Sequence, residues 1–290
     1  MKKIVLFSGM LFLLACASRP TLPHPDEGSS ENASVVRANA VVNGLSLYYE
    51  IHGEGPPLVL IHGGGSTLDT TFAKVIPLLA RRHKVIAIDE QAHGRTPDIS
   101  RMVSFANTAD DIAALLTHLQ IPKADVFGFS NGGTTALHFA IRHPEKTNRV
   151  IAASALTRHA DAPATFWKFM KTGTFDQMPE VLKQEFRKVN ADPNALLVMF
   201  KRDSDRMNAF KDIPSDQLRS LKAPVLVIVA QKDVMSVESA LRVSQQIPQA
   251  RLLVLPGGHG NYLGEVSAGP PIPQGPEFTA ASVSEFLLAK

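Results

Sequence analysis

The chain has 290 residues, enough for one large α/β domain or two small ones, and its composition is ordinary for a globular protein, at 44% hydrophobic and 20% charged residues. Lysine and arginine exceed aspartate and glutamate by three and form no basic run, so nothing indicates a nucleic-acid partner. Because Cys16 is the only cysteine, an internal disulfide bond is excluded.

The N-terminus has the layout of an export signal. Lys2 and Lys3 precede an uncharged run, residues 4–15. This run is too short for a membrane-spanning helix, which needs roughly 20 apolar residues. A buried first strand or helix is the alternative, but a polar, Pro-rich tract follows at once. We therefore predict that residues 1–15 are a signal peptide.

The end of this signal, Leu13-Leu14-Ala15-Cys16, resembles a bacterial lipobox, in which the peptide is cut before a cysteine that receives lipid. The resemblance implies a lipid anchor at Cys16 and an envelope lipoprotein on the periplasmic or outer face of a membrane. Leu14 is bulkier than the small residue often found there, so a secreted soluble protein is the alternative. Residues 16–37 are predicted to be a solvated tether.

From residue 41 onward, the pattern predicts strands that alternate with amphipathic helices. Asn43-Gly44 lies between two β-prone runs and predicts an opening hairpin. Continuous apolar runs predict buried strands at residues 58–61, 84–89, 124–127, 149–156, 225–230 and 251–255. Helices are predicted between residues 72 and 79, from Ser104 to Leu119, from Asn131 to Pro144, and over 236–247 and 278–289. This alternation indicates an α/β fold with a mostly parallel sheet and helices on both faces.

The alternation stops between Thr157 and Ser215, which divides a predicted core (38–156 and 216–290) from a helical cap (157–215). The cap holds Trp167 and a large share of the Phe and Met residues. Phe166, Trp167 and Met170, together with Phe129, are candidates for lining an apolar substrate pocket. These aromatic residues of the cap could equally form its own small core.

The pentapeptide Gly128-Phe129-Ser130-Asn131-Gly132 has the pattern G-x-S-x-G between a predicted strand and a predicted helix. This pattern is typical of a nucleophile elbow, in which a strained turn exposes the serine hydroxyl. Chance is the alternative, since turns favour Gly and Ser in any case. A serine nucleophile also requires a base and an acid.

Polar residues at the ends of later strands supply candidates for both roles. His259 follows the last predicted strand and is flanked by glycines. Asp233 stands three residues beyond strand 225–230, where its side chain would emerge at the carboxyl edge of the sheet. Asp161, soon after the preceding strand, is the rival acid.

Glycines after the first buried strand predict an oxyanion hole. The backbone N–H of Asn131, next to Ser130, is one expected donor. His62-Gly63-Gly64-Gly65 suggests a second donor, with Gly64 preferred and Gly63 next. A phosphate-binding G-x-G-x-x-G loop is disfavoured, because Leu68 stands where the third glycine would be.

These four motifs together resemble the α/β-hydrolase-fold serine hydrolases with a helical cap, over residues 41–290. The resemblance implies a Ser130, Asp233, His259 triad that cleaves small carboxylic esters or lactones through an acyl-enzyme, with no cofactor. No metal-ligand spacing stands out. The alternatives are a C–C bond hydrolase of the same fold and a lipid-anchored binding protein without turnover. The sequence does not determine the natural substrate or the oligomeric state.

Overall fold

The computed structural model describes residues 35–270 and 272–289. The predicted signal peptide, Cys16 and all but the end of the predicted tether lie outside these residues. Within the described part, no helix has both the length and the apolar character that crossing a bilayer requires.

One sheet of eight strands forms the centre of the described fold. The strands are β1 (Val36–Val42), β2 (Leu45–His52), β3 (Pro57–Ile61), β4 (Lys84–Ile88), β5 (Ala124–Phe129), β6 (Thr147–Ala153), β7 (Val225–Lys232) and β8 (Ala250–Gly258). Their spatial order is β1-β2-β4-β3-β5-β6-β7-β8. Only the pairs that include β2 are antiparallel. The prediction of a mostly parallel sheet is confirmed.

Helices cover both faces of the sheet, as predicted. They are α1 (Leu68–Phe72), α2 (Ile76–Leu79), α3 (Phe105–His118), α4 (Asn131–Arg142), α5 (Ala164–Thr172), α6 (Glu180–Val189), α7 (Ala195–Asn208), α8 (Ser215–Arg219), α9 (Val237–Gln246) and α10 (Gly275–Leu288). The apolar sides of α3, α4 and α9 pack on one face, and those of α1, α2 and α10 pack on the other. Because helices cover both faces of β5, all six of its residues are buried, and Asp125 is the one charged residue among them.

Two local predictions differ from the structure. Val36 and Arg37, predicted as the end of the tether, belong to β1, where Arg37 pairs with Glu50 of β2 across the ladder. The helical stretch after β3 is two short helices, α1 and α2, rather than one. Pro77 lies in the first turn of α2, where its missing N–H and fixed φ favour a new helix start.

The strand order places a crevice at the carboxyl ends of β3 and β5. The chain leaves β3 for its neighbour β4 and returns to β5 on the other side of β3. The loops after β3 and β5 therefore diverge at a topological switch point, the usual ligand site of open α/β sheets. These loops carry His62 to Gly65 and Ser130.

The segment between β6 and β7, which was predicted as the cap, holds α5, α6, α7 and α8. It has a small apolar core of its own, formed by Met178, Leu182, Phe186, Leu196 and Met199. Phe210, just after α7, packs instead against Phe105 of α3. The inserted helices are thus tied to the face of the sheet that carries α3 and α4.

The buried carboxylate of Asp125, at the amino end of β5, should make the stability of this fold depend on pH. Asp125 is 3% exposed, and its Oδ1 has no hydrogen-bond partner among the described residues. Burial raises the pKa of Asp125 to about 6, against an opposing effect of Arg149. The folded state therefore holds this proton at a pH where the unfolded state has lost it, so stability should fall as pH rises from about 4 to 6.

We expect Asp125→Asn to remove this pH-dependent loss of stability. The difference in free energy of unfolding between Asp125→Asn and the wild type should therefore be about 2 kcal/mol more favourable to the variant at pH 8 than at pH 4, since one pKa unit is worth about 1.4 kcal/mol. Urea unfolding at both pH values measures it. Asp176→Asn, at an exposed carboxylate, is the matched control. Parallel pH profiles for the wild type and Asp125→Asn would contradict the prediction.

Candidate active site

Ser130 lies in the tight turn between β5 and α4, with φ 54° and ψ −117°. A positive φ is unusual for a residue with a Cβ, and such strain costs on the order of 1–3 kcal/mol. The glycines two residues away permit the turn. A Cβ at Gly128 would lie 1.9 Å from the Gly132 carbonyl oxygen, and one at Gly132 would lie 2.1 Å from that of Ile61. Only glycine therefore allows β5, α4 and β3 to approach this closely.

The loops after β7 and β8 bring a carboxylate and an imidazole to this serine. Ser130 Oγ lies 3.1 Å from His259 Nε2, and His259 Nδ1 lies 2.5 Å from Asp233 Oδ1. Because a carboxylate only accepts, Nδ1 carries the proton and Nε2 is left to accept from the serine hydroxyl. The three residues predicted to form a relay are therefore in hydrogen-bond contact.

The Asp233 carboxylate is fully buried and accepts several hydrogen bonds. Besides His259, its donors are the Ser154 hydroxyl (2.5 Å) and the N–H groups of Ala230 (3.0 Å) and Val234 (2.7 Å). Burial alone would raise the pKa of Asp233, but the hydrogen bond and charge of His259 and the other donors hold it below its ordinary value. Asp233 is thus an ionised, immobilised partner for the imidazole.

Ser154 contacts Asp233 and was not predicted from the sequence. It directly follows β6 with φ 51°, and it accepts from the Tyr262 hydroxyl at 2.7 Å while donating to Asp233. A polar residue at the carboxyl end of a buried strand was the available signal. The rival acid, Asp161, lies elsewhere, because it accepts hydrogen bonds from Thr157, Arg158 and Arg242.

Within residues 35–270 and 272–289, two backbone N–H groups near Ser130 find no acceptor. Asn131 is the first residue of α4, where helix N–H groups are unpaired. In the loop after β3, the Gly63 N–H donates to Thr71 Oγ1 and the Gly65 N–H to Asp203. The Gly64 N–H has no acceptor among the described residues. Gly64 and Asn131 adjoin, since a Cβ at Gly64 would lie 2.4 Å from Asn131 Nδ2.

His62 sets the plane of the peptide that carries the Gly64 N–H. Its Nδ1 donates to the Gly63 carbonyl at 2.8 Å, and its Nε2 accepts from the Glu90 N–H at 3.0 Å. Burial lowers the pKa of His62, which suits this neutral tautomer. In a trans peptide the N–H points away from the preceding carbonyl, so holding the Gly63 oxygen also aims the Gly64 N–H.

His62, Glu90 and His93 form a buried group whose potential ligand atoms lie within 4.8 Å of one another. The ring nitrogens of both histidines are already engaged. Those of His62 bond as described, and those of His93 lie 2.9 Å from the Gln91 carbonyl oxygen and 3.0 Å from Asp203 Oδ2. A metal ion would have to displace these bonds, so the group is better described as a hydrogen-bond network.

A cavity of about 230 Å³ adjoins Ser130 and His259. Its apolar wall comes from the segment between β6 and β7, namely Phe166, Phe169, Met170, Met178, Leu182, Phe200 and Met207. Two of the four predicted pocket residues, Phe166 and Met170, are therefore in this wall. Phe129 instead lies buried against His259, with ring centroids 4.7 Å apart. Trp167 packs on His159 and Phe210, and its Nε1 donates to the His159 carbonyl.

Comparison with known proteins supports the same fold. A family model described as the alpha/beta hydrolase fold matches residues 56–210, which is more than half of the chain. The chain belongs to this family. The strand order described above agrees with this fold.

Individual relatives are more distant. The chain resembles the uncharacterized hydrolase YraK of Bacillus subtilis, with 29% identity over 56% of this chain and 60% of that protein. It also resembles a pimeloyl-(acyl-carrier protein) methyl ester esterase of Chromobacterium violaceum, with 34% identity over 47% of this chain and 55% of that protein. The chain thus spans less than two thirds of the length of either relative.

A solved structure extends the likeness in fold. The 2-hydroxy-6-oxo-6-phenylhexa-2,4-dienoate hydrolase of Rhodococcus sp. strain RHA1 superposes with a TM-score of 0.71. The match covers 88% of this chain and 99% of that one at 21% sequence identity. At this identity the likeness concerns the fold.

The close approach at the elbow can be tested through stability. We expect Gly132→Ala to lower the free energy of unfolding by about 3 kcal/mol or more, because its Cβ would overlap two backbone carbonyl oxygens. Gly275→Ala is the control, since its nearest neighbour would lie 3.3 Å away. Denaturant unfolding compares the two variants. Equal losses would show that the elbow can relax around a methyl group.

Proposed function

We propose that this protein is a serine hydrolase that cleaves small carboxylic esters or lactones through an acyl-enzyme intermediate. The observation that carries the proposal is the unbroken relay from Ser130 Oγ through His259 to Asp233, at 3.1 and 2.5 Å. An ionised carboxylate, an oriented imidazole and a hydroxyl exposed at a strained turn are the parts that nucleophilic catalysis requires.

In the proposed reaction, His259 Nε2 takes the Ser130 proton as Oγ attacks the ester carbonyl carbon. Asp233 stabilises the imidazolium that forms. The N–H groups of Gly64 and Asn131 donate to the developing oxyanion, since neither is bonded to another of the residues that the structure describes. His259 then gives its proton to the leaving alkoxide, which departs from the acyl-enzyme. A water molecule activated by His259 releases the acid and restores Ser130.

The cavity supports an apolar acyl or aryl group as the substrate's larger part. Its wall is built of Phe, Met and Leu side chains, and an apolar cavity of about 150 Å³ already admits a benzene-sized guest. At about 230 Å³, the cavity suits groups of medium length. Each methylene that it buries adds about 0.8 kcal/mol, or at most about a fourfold gain in kcat/KM.

A C–C bond hydrolase of the same fold is the second candidate, because the similar Rhodococcus enzyme is named for a dienoate. A dienoate carries a carboxylate, which a site usually meets with a cation. Among the described residues that line the cavity there is no lysine or arginine. This lining favours neutral esters. A binding protein without turnover is disfavoured by the complete relay.

The lipid anchor is a separate proposal. We propose that Cys16, after cleavage of residues 1–15, holds the hydrolase on an envelope membrane, and the lipobox-like sequence is its support. Stable anchoring needs more than one acyl chain. Mass spectrometry of the mature N-terminus tests it, and an unmodified or absent Cys16 overturns it.

Replacement of the nucleophile is the direct test of the enzymatic proposal. We expect Ser130→Ala to lower kcat for p-nitrophenyl butyrate by at least about 1,000-fold, since no hydroxyl remains to form the acyl-enzyme. The variant should also lose covalent labelling by a fluorophosphonate. Ser220→Ala, at an exposed serine, should keep both properties. Full esterase activity in Ser130→Ala would refute the mechanism.

A panel of p-nitrophenyl esters tests the acyl pocket. We expect kcat/KM to rise from acetate to hexanoate and to fall for long chains, as the cavity fills. Met170→Trp should move the optimum to shorter chains by filling the wall, whereas Leu197→Trp, at an exposed position of α7, should leave it unchanged. An optimum that Met170→Trp does not move would place the acyl group elsewhere. Turnover of ring-fission dienoates in preference to every ester would favour the C–C alternative.

A further inference from the structure

A buried group of charged side chains joins α7 to the loops after β3 and β4. Asp203 and Arg206 lie one turn apart on α7, and Arg206 donates to Asp203 and, at 2.6 Å, to Glu90. His93 completes the group through its 3.0 Å contact with Asp203. The side chains of Glu90, His93 and Arg206 are fully buried, whereas Asp203 is 13% exposed and lines the cavity beside Ser130.

The four side chains balance one another in charge. Both ring nitrogens of His93 face acceptors, the Gln91 carbonyl and the Asp203 carboxylate, so both must donate and the ring is an imidazolium. Burial alone would lower the pKa of His93, but the charge and hydrogen bond of Asp203 outweigh it and raise it. Two carboxylates thus face two cations, which is the condition under which buried charges are tolerated.

Asp203 also reaches the backbone of the glycine loop. Its Oδ2 accepts the Gly65 N–H and would lie 3.3 Å from a Cβ at Gly64. Three consecutive glycines have wide conformational freedom, so the direction of the Gly64 N–H depends on the hydrogen bonds that hold the loop, one of which is the turn bond from the Ser66 N–H to the Gly63 oxygen at 3.3 Å. His62 holds the peptide before Gly64 through the Gly63 oxygen. Asp203 holds the peptide after it.

We propose that Asp203 is a positioning residue for the oxyanion hole, which it orients from the inserted helix α7 by fixing the Gly64–Gly65 peptide. The inference rests on the proposed role of Gly64 as an oxyanion donor. It follows that the oxyanion hole is complete only while α7 is docked. The inserted helices then contribute to transition-state stabilisation as well as to the substrate pocket.

A neighbouring ion pair provides a control that distinguishes the positioning role of Asp203 from its contribution to the docking of α7. Arg202, adjacent to Asp203 on α7, donates to Asp98 at 2.7 and 2.9 Å and to the Ile99 carbonyl at 3.0 Å. This pair also joins α7 to the loop after β4, but it does not touch the glycine loop. Arg202→Gln therefore weakens docking alone, whereas Asp203→Asn also weakens the hold on Gly65.

The experiment measures p-nitrophenyl butyrate hydrolysis and inhibition by an alkyl trifluoromethyl ketone, which adds to the serine and places an oxyanion in the hole. For Asp203→Asn we expect kcat to fall about 10- to 100-fold with KM within about threefold, because an oxyanion donor is worth about 100- to 1,000-fold and here is misaligned rather than removed. The inhibition constant of the ketone should rise in proportion to the loss of kcat/KM. Arg202→Gln should change each quantity less than about threefold.

A wild-type kcat and ketone affinity in Asp203→Asn, or equal losses in Asp203→Asn and Arg202→Gln, would overturn the proposal. If Asp203→Asn does not fold by circular dichroism, Asp203→Glu replaces it, since the charge balance is kept while the carboxylate moves by one methylene. A wild-type kcat in Asp203→Glu would likewise overturn the inference. The proposed function is tested separately: it is established if the wild type hydrolyses the ester and Ser130→Ala does not, whatever the Asp203 variants show.

Discussion

The structure of the site depends on the close contact of three backbone segments around Ser130. The carboxyl end of β5, the first turn of α4 and the end of β3 approach so closely that residues 128 and 132 have no room for a Cβ. This approach forces Ser130 into a positive φ, at a cost on the order of 1–3 kcal/mol. Burial of Val126, Phe127 and Phe129 in β5 offsets that strain, since each large apolar side chain contributes about 1.5–3 kcal/mol on burial.

Once the serine is placed, the parallel sheet supplies its partners. The carboxyl ends of β3, β5, β6, β7 and β8 lie along one edge, so residues far apart in sequence meet there. Asp233 and His259 come from the last two of these strands and Ser154 from β6. The carboxylate is held by backbone and side-chain donors at once, so the imidazole is oriented without freedom to turn away. A rigid scaffold thus positions groups that are carried on loops.

The inserted helices lie at the same edge of the sheet. Their apolar residues form the wall of the cavity, while α7 reaches the glycine loop through the network of Glu90, His93, Asp203 and Arg206. Buried charges of this kind stabilise a fold little in comparison with apolar packing, but they require one arrangement, because a half-satisfied network is costly. The network therefore links the seating of α7 to the geometry of the loop beside Ser130.

The order and type of the main elements can be predicted from the sequence, because buried parallel strands are continuous apolar runs and the helices between them have one apolar face. Ser130, Asp233 and His259 can be predicted as well, since polar residues directly after such strands must emerge at one edge of the sheet.

Other features depend on contacts that the sequence does not show. Cross-strand pairing sets the start of β1 at Val36, and Pro77 sets the break before α2. Side-chain packing sets the positions of Phe129 and Trp167. The contact of Asp203 with Gly65 spans 138 residues, and that of Ser154 with Asp233 spans 79. These contacts depend on the tertiary structure, because no local sequence pattern records which distant surfaces a folded chain brings together.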